Sequence, residues 1–143
     1  MILLLNYIGK GSILVLIRNN YLKVEIADSP SKQSQGLMFR DKLEDDKGML
    51  FVFNRPQNLK FWGLNTYIPL DVAFVSPENE ILKISDIKPL DFKKTVTSDF
   101  NCDKAIETNL NFFKKNRIEV GDQIEIEKLS DGINLIKFKK KSI

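Results

Sequence analysis

The sequence predicts a mostly β, α+β fold: a small β-barrel or sandwich of about seven to nine short strands with two short helices. Three observations predict it. Short segments either alternate apolar with polar residues or run continuously apolar, and turn residues separate them. Only two stretches carry helix signals, and they do not alternate with the strands as a doubly wound parallel sheet requires. Apolar residues make up 43% of the 143, with ten Phe, which is enough for the core of a single domain.

The elements follow in order. MILLL (1–5) and ILVLI (13–17) read as two strands around the turn GKGS (9–12). YLKVEIAD (21–28) alternates as a half-buried strand does. Asp28 or Ser29 then caps a short helix with Pro30 at its first position, running to about Gly36. DKLEDDKG (41–48) reads as an acidic loop and GMLFVF (48–53) as a buried strand. Pro56 and Pro69 bracket residues 61–68, which must enter and leave as extended or turn structure. DVAFVS (71–76) and EILKIS (80–85) flank Pro77-Glu78-Asn79 as a hairpin. KAIET (104–108) reads as a strand, and Asn109 as the cap of a second short helix, LNFFKKN, with its lysines in the last turn. VGDQIEIEKL (120–129) and INLIKF (133–138) form a hairpin around Ser130-Asp131-Gly132.

Composition removes several kinds of chemistry. There is no His, which excludes Ser-His-Asp and Cys-His catalysis and the commonest metal ligand. The single Cys, Cys102, excludes an internal disulfide and a thiolate zinc site; beside Asp103 it reads as inert. The net charge of +3 comes mainly from Lys, with four Arg and no basic stripe, so nucleic acid is not the expected partner. The run KFKKK (137–141) reads as a solvated basic tail. Neither N-terminal apolar run reaches the ~20 residues of a membrane span, and no cleavage site follows. The expected location is therefore cytoplasmic or virion-associated rather than secreted, and no cofactor is expected.

Three clusters break the ordinary pattern: GLMFR (36–40), GMLFVF (48–53) and FWGLNTYIPLD (61–71). With IKPLD (87–91) and AIET…FFKKNRIEVGDQI (105–124), they resemble the prokaryotic family catalogued as domain of unknown function 192. Its pattern runs G-L-M-[FY]-R, G-M-L-F-x-F, F-W-M-[KR]-N-T-x-I-P-L-D and L-E…G-I-x-x-G-D. The similarity spans about residues 22–126 in that order. It divides the chain into N-terminal strands outside the family (1–20), a family-like core (21–127), and a C-terminal strand and tail (128–143). The resemblance implies a compact β-rich domain with a short helix and a shared site, not a reaction. Many members are secreted or exposed, and some lie in phage genomes. This chain departs from the pattern at Gly63 and Leu64, where the family carries Met and then a cation.

The 61–71 segment holds most of the candidate site: Trp62, Asn65, Thr66, Tyr67 and Asp71, with Arg40. Each has an ordinary use beside a functional one. Trp62 serves a core, or anchors an interface. Asn65 and Thr66 cap a turn, or present polar groups to a ligand. Asp71 and Glu107 are the candidate catalytic carboxylates, and Arg40 is expected to pair with one of them. Met38 and Met49 read as core. Asp41, Glu44, Asp45 and Asp46 do not have calcium-hand spacing, and no metal site is expected.

Three functions stay open. The first is a non-enzymatic binding or assembly module that docks a protein or polymer surface through the 61–71 face. A phage virion component is one form of it, since the Lys-, Asn- and Ile-rich composition suggests an AT-rich genome. The second is a glycan hydrolase pairing Asp71 with Glu107, Asp28 or Asp91. The third is a small-ligand or metal-binding domain, limited by its oxygen ligands to Mg, Ca or Mn.

Overall fold

A computed structural model of the protein describes residues 2–4 and 17–141. Its elements in order are β1 (Ile2–Leu4), β2 (Ile17–Asn19), β3 (Tyr21–Ala27), α1 (Pro30–Gln35), β4 (Lys47–Phe61), β5 (Leu70–Val75), β6 (Ile81–Ile87), β7 (Val96–Asn109), α2 (Phe112–Lys115), β8 (Gln123–Ser130) and β9 (Ile133–Lys139). The mostly β expectation holds: seven strands form one curled sheet, a half-barrel, with two short helices. β1 and β2 pair antiparallel with each other outside that sheet, while the GKGS turn expected between them lies outside the described residues.

The sheet order is β6-β5-β7-β4-β3-β9-β8. All its neighbours are antiparallel except β3 and β4, which the α1 crossover joins in parallel. Its two edges meet at one corner. Glu80 bridges Gln123, the Ile81 N–H donates to the Asp122 carbonyl at 2.9 Å, and the Gly121 N–H donates to the Ile81 carbonyl at 2.8 Å. That contact covers part of both edges, which would otherwise be open to foreign strands.

The period of two sends successive residues to opposite faces, so the sheet carries two cores. All seven strands contribute to the first, including Leu22, Leu50, Ala73, Ile81, Ile106, Ile124 and Ile136, and α2 adds Phe112 and Phe113. The second comprises Leu37, Met49, Phe51, Leu59, Ile68, Val72, Phe74, Ala105 and neighbours. It lies under α1 and the loop after β4.

Local chemistry explains the ends of the elements. The Ser29 hydroxyl accepts the Lys32 N–H at 3.3 Å, and Gly36, at φ +48°, closes α1 by donating its N–H to the Lys32 carbonyl. The second helix differs from expectation. Asn109 ends β7, where its side-chain amide donates to the Leu43 carbonyl at 2.7 Å, and the cap position is Asn111, at φ +71°. The longer surprise is β4 and β7, whose far halves were not read as strands. Pro56 sits in β4 where the ladder skips from Val52 to Gln57, a bulge that spares its missing N–H. Past it, the buried Ser98 hydroxyl accepts the Leu59 N–H at 2.9 Å, and Asn58 Oδ1 accepts the Asp99 N–H. The basic run also differs from a free tail. Lys137 and Lys139 lie on β9 and pair with Glu127 and Glu125 of β8, while Lys140 bonds Asp122 at 3.0 Å.

Candidate functional site

Three loops come together beside the second core: residues 38–40, 62–69 and 88–92. The Phe39 N–H donates to the Asn65 carbonyl at 2.9 Å, the Leu90 N–H to the Thr66 carbonyl at 2.9 Å, and the Gly63 N–H to the Asp91 carbonyl at 2.8 Å. Phe39, Asn65 and Leu90 all adopt positive φ, at 66°, 51° and 61°. For bulky side chains this is a costly conformation, so the tertiary hydrogen bonds must hold it. Phe39 is 60% exposed and Leu90 57%, and on the same three loops Phe92, Tyr67 and Trp62 are similarly open. Trp62 is therefore not a core residue.

Gly63 explains one departure from the family pattern. A Cβ placed there would lie 2.0 Å from the Lys88 carbonyl oxygen and 3.1 Å from the Asp91 nitrogen. The 88–91 turn packs backbone against backbone at this point, which leaves no room for the methionine of the pattern. Asn65 and Thr66 serve the turn: the Thr66 hydroxyl donates to the Leu64 carbonyl at 3.1 Å.

Behind Trp62 opens a cleft of about 350 Å³. One wall is α1 and its exit, from Pro30 to Met38; the other is Phe51, Phe53, Lys60, Phe61, Trp62 and Thr66. Phe61 holds edge-on contacts with Phe51 at 4.9 Å and Phe74 at 5.8 Å, which makes this wall rigid. Gln33 fixes α1 by donating its side-chain amide to the Val52 carbonyl at 2.7 Å.

Glu107 also lines this cleft and is 5% exposed. Its Oε1 lies 3.7 Å from where a Cβ on Gly36 would stand. Among the described residues its carboxyl makes no hydrogen bond or ion pair, and burial pushes its pKa up to about 8. Lys60 lines the same cleft without pairing with it.

Arg40 does not pair with either candidate carboxylate. It binds Glu25 on β3 through two guanidinium nitrogens, at 2.5 and 2.9 Å. The reason is the register: Glu25 stands beside Met49, and Met49 beside Glu107, so Glu25 faces the same side and lies nearer the 38–40 loop. Asp71 faces the other core, where its carboxylate accepts the Asn111 N–H at 2.8 Å. Burial raises its pKa, the Asn111 bond opposes that, and Asp86 across the strand pair adds to it.

The four carboxylates proposed to act in pairs line four different clefts. Glu107 lies behind Trp62, Asp71 beneath α2 with Lys114 and Arg117, Asp91 beside Lys88 and Lys94, and Asp28 beside Asn54 and Arg55. Among the described residues no three acidic or thiol groups stand close enough to hold a metal ion. Cys102 is buried in the second core, and burial pushes its thiol up. No helix among the described residues is long and apolar enough to cross a membrane.

The structure thus brings Trp62, Thr66 and Glu107 to one cleft, and Asn65 and Tyr67 to its outer loop. Glu25, Phe39, Lys60, Leu90 and Phe92 were missed by sequence reasoning. Glu25 looked like a solvent position of an alternating strand, and only the parallel pairing with β4 reveals its neighbours.

Comparison with known proteins places this architecture. The chain is similar to a crystal structure from Sinorhizobium meliloti 1021, provisionally described as a transcription regulator. The identity is 30% and the TM-score 0.69, over 82% of this chain and 86% of that one. It is equally similar to a protein of unknown function from Novosphingobium aromaticivorans DSM 12444, at 30% identity and TM-score 0.69, covering 78% and 76% of the two chains. No curated protein matches the chain. The family model DUF192, described as uncharacterized ACR, matches residues 14–126, beginning earlier than the motifs alone suggest. On that match the chain belongs to the DUF192 family.

Proposed function

We propose that the protein is a non-enzymatic binding module that docks a protein partner through the rim of Phe39, Trp62, Tyr67, Leu90 and Phe92. One observation carries this reading. Five bulky apolar side chains are exposed on three loops that hydrogen-bond to one another, and two of them, Phe39 and Leu90, are held there in an unfavourable left-handed backbone conformation. Such strain persists only where surrounding structure imposes it, and it clusters at functional sites. Aromatic side chains on a pre-formed backbone lose little entropy on binding and dominate interface energetics. The separation of the carboxylates into four clefts favours this reading over a paired-carboxylate hydrolase.

A photo-crosslinking residue at Tyr67, compared with one at Glu127 on β8, tests the proposal in the native host. A discrete protein adduct at position 67, absent at 127 and lost in Phe39→Ser, is the expected result. Equal adducts at both positions, or none at 67, would overturn it. Sedimentation of the purified protein identifies the case in which the partner is a second copy.

A further inference from the structure

We propose that the cleft behind Trp62 binds an alkylammonium group, with the Glu107 carboxylate as its counter-ion and the aromatic wall around its stem. This inference rests on the cleft, and only the choice of ligand source depends on the docking function proposed above.

The argument begins with an imbalance. Carboxylates this deeply buried are normally paired, because desolvation is costly and must be offset by a partner. Glu107 is 5% exposed and has none among the described residues, although the Asp71 and Glu25 carboxylates both have theirs. It is not sealed inside the core, since it lines a cleft. A missing partner beside an open cavity points to a ligand that supplies the partner.

The lining specifies the sign and shape of that ligand. The only other ionisable side chain there is Lys60, which is exposed and on the opposite wall from α1. The lining part of α1 contributes Gln33, Ser34 and Gln35 but no charge, and the loop adds Trp62 and Thr66. On β7 and its neighbours, Met49 and Val72 flank Glu107, and beyond Met49 on that face Glu25 is paired with Arg40. Lys60 keeps its charge exposed to solvent, so the buried Glu107 is the group that selects charge in the cleft, and its complement is a cation. The rings of Phe51, Phe61 and Trp62 suit a cation's methylene stem, and aromatic faces attract the charge itself.

The proposal predicts a proton balance. Burial holds the free carboxyl largely protonated at neutral pH. An arriving ammonium stabilises the carboxylate, so the Glu107 proton leaves to solvent as the ion pair forms. Affinity therefore rises with pH until the free carboxyl is ionised, near 8.

The experiment is calorimetry with n-butylammonium chloride against n-butanol, in two buffers of different ionisation heat, with fluorescence of the lone Trp62 as a second readout. Saturable binding of butylammonium is expected, with release approaching one proton at neutral pH and a Trp62 signal. Butanol should bind at least about tenfold more weakly. Glu107→Gln, which keeps the shape and removes the charge, should lose about tenfold in affinity and release no proton. Lys60→Ala should bind as well or better. Nα-acetyl-lysine methylamide separates the sources: tighter binding than butylammonium assigns the site to a partner's lysine, weaker binding to a free amine. Equal binding of butanol, unchanged binding in Glu107→Gln, or an absence of proton release would overturn the proposal. None of these readouts involves the protein partner, so the docking reading stands or falls separately.

Discussion

Arg40 grips Glu25 with two nitrogens, at 2.5 and 2.9 Å, and so ties the loop after α1 to the parallel strand pair. The bond holds the Glu25 carboxyl below its ordinary range. Both side chains are more than a third exposed, which tempers the energy of the pair. Arg40→Lys, which cannot reproduce the planar fork, should cost about 1 kcal/mol in urea unfolding. A double-mutant cycle with Glu25→Gln should show a coupling of the same order. Because the folded-state pKa is depressed, this contribution is present above the unfolded value near 4.5 and is lost as pH falls through the folded value.

Glu107 acts in the opposite direction. Its carboxyl is raised from 4.5 to about 8, so between those values the folded chain holds a proton that the unfolded chain has released. The stabilising contribution of neutral Glu107 is complete below 4.5 and falls as pH rises toward 8, by up to roughly 1.4 kcal/mol per unit. Glu107→Gln should flatten this fall and unfold at higher temperature than the parent at pH 8. Thermal unfolding followed across the range checks it; an unchanged slope in the variant would show that Glu107 is not its source.

At Gly63 the constraint is purely steric. A methyl group would meet the Lys88 carbonyl oxygen at 2.0 Å, and that atom belongs to backbone and cannot rotate away. Gly63→Ala should cost about 2 kcal/mol or more, through displacement of the 88–91 turn. Chemical-shift changes in the variant should concentrate at Leu90 and Asp91, whose backbones bond Thr66 and Gly63.

Leu90 offers a test of stored strain. It holds φ +61° with its side chain 57% exposed, so little packing is lost on removing it. Leu90→Gly should raise stability by on the order of 0.5 kcal/mol, as release of left-handed strain outweighs the added unfolded-state entropy. The same variant should weaken partner docking, since it removes an apolar rim residue. Stability gained while docking is lost would separate a functional role for the strain from a structural one.

Much of the fold was legible because it is written locally. Ser29 bounds α1 through its side-chain cap and Pro30 and Gly36 through backbone geometry, and Gly132, at positive φ, marks the β8–β9 hairpin. The alternation of β3 and the apolar run opening β4 set their burial without reference to distant residues. The motif FWGLNTYIPLD likewise located the loop that carries Trp62 and Tyr67. Its glycine was visible as a departure from the family pattern, though its cause was not.

What the sequence could not determine were relationships between residues far apart in the chain. Whether Trp62 faces the core or solvent depends on hydrogen bonds from the 38–40 and 88–92 loops to its own loop. Arg40 chose Glu25 because β3 and β4 pair in parallel, a register that no local signal encodes. Asp71 and Glu107 looked like one potential pair. Yet Glu107 stands opposite Val72 and Asp71 opposite Thr108, and a step of one residue in a strand turns a side chain to the other face. The sequence alone determined which residues could carry charge, ring or turn. The tertiary structure decided which of them meet, because strand register and loop closure are set by the packing of the whole sheet.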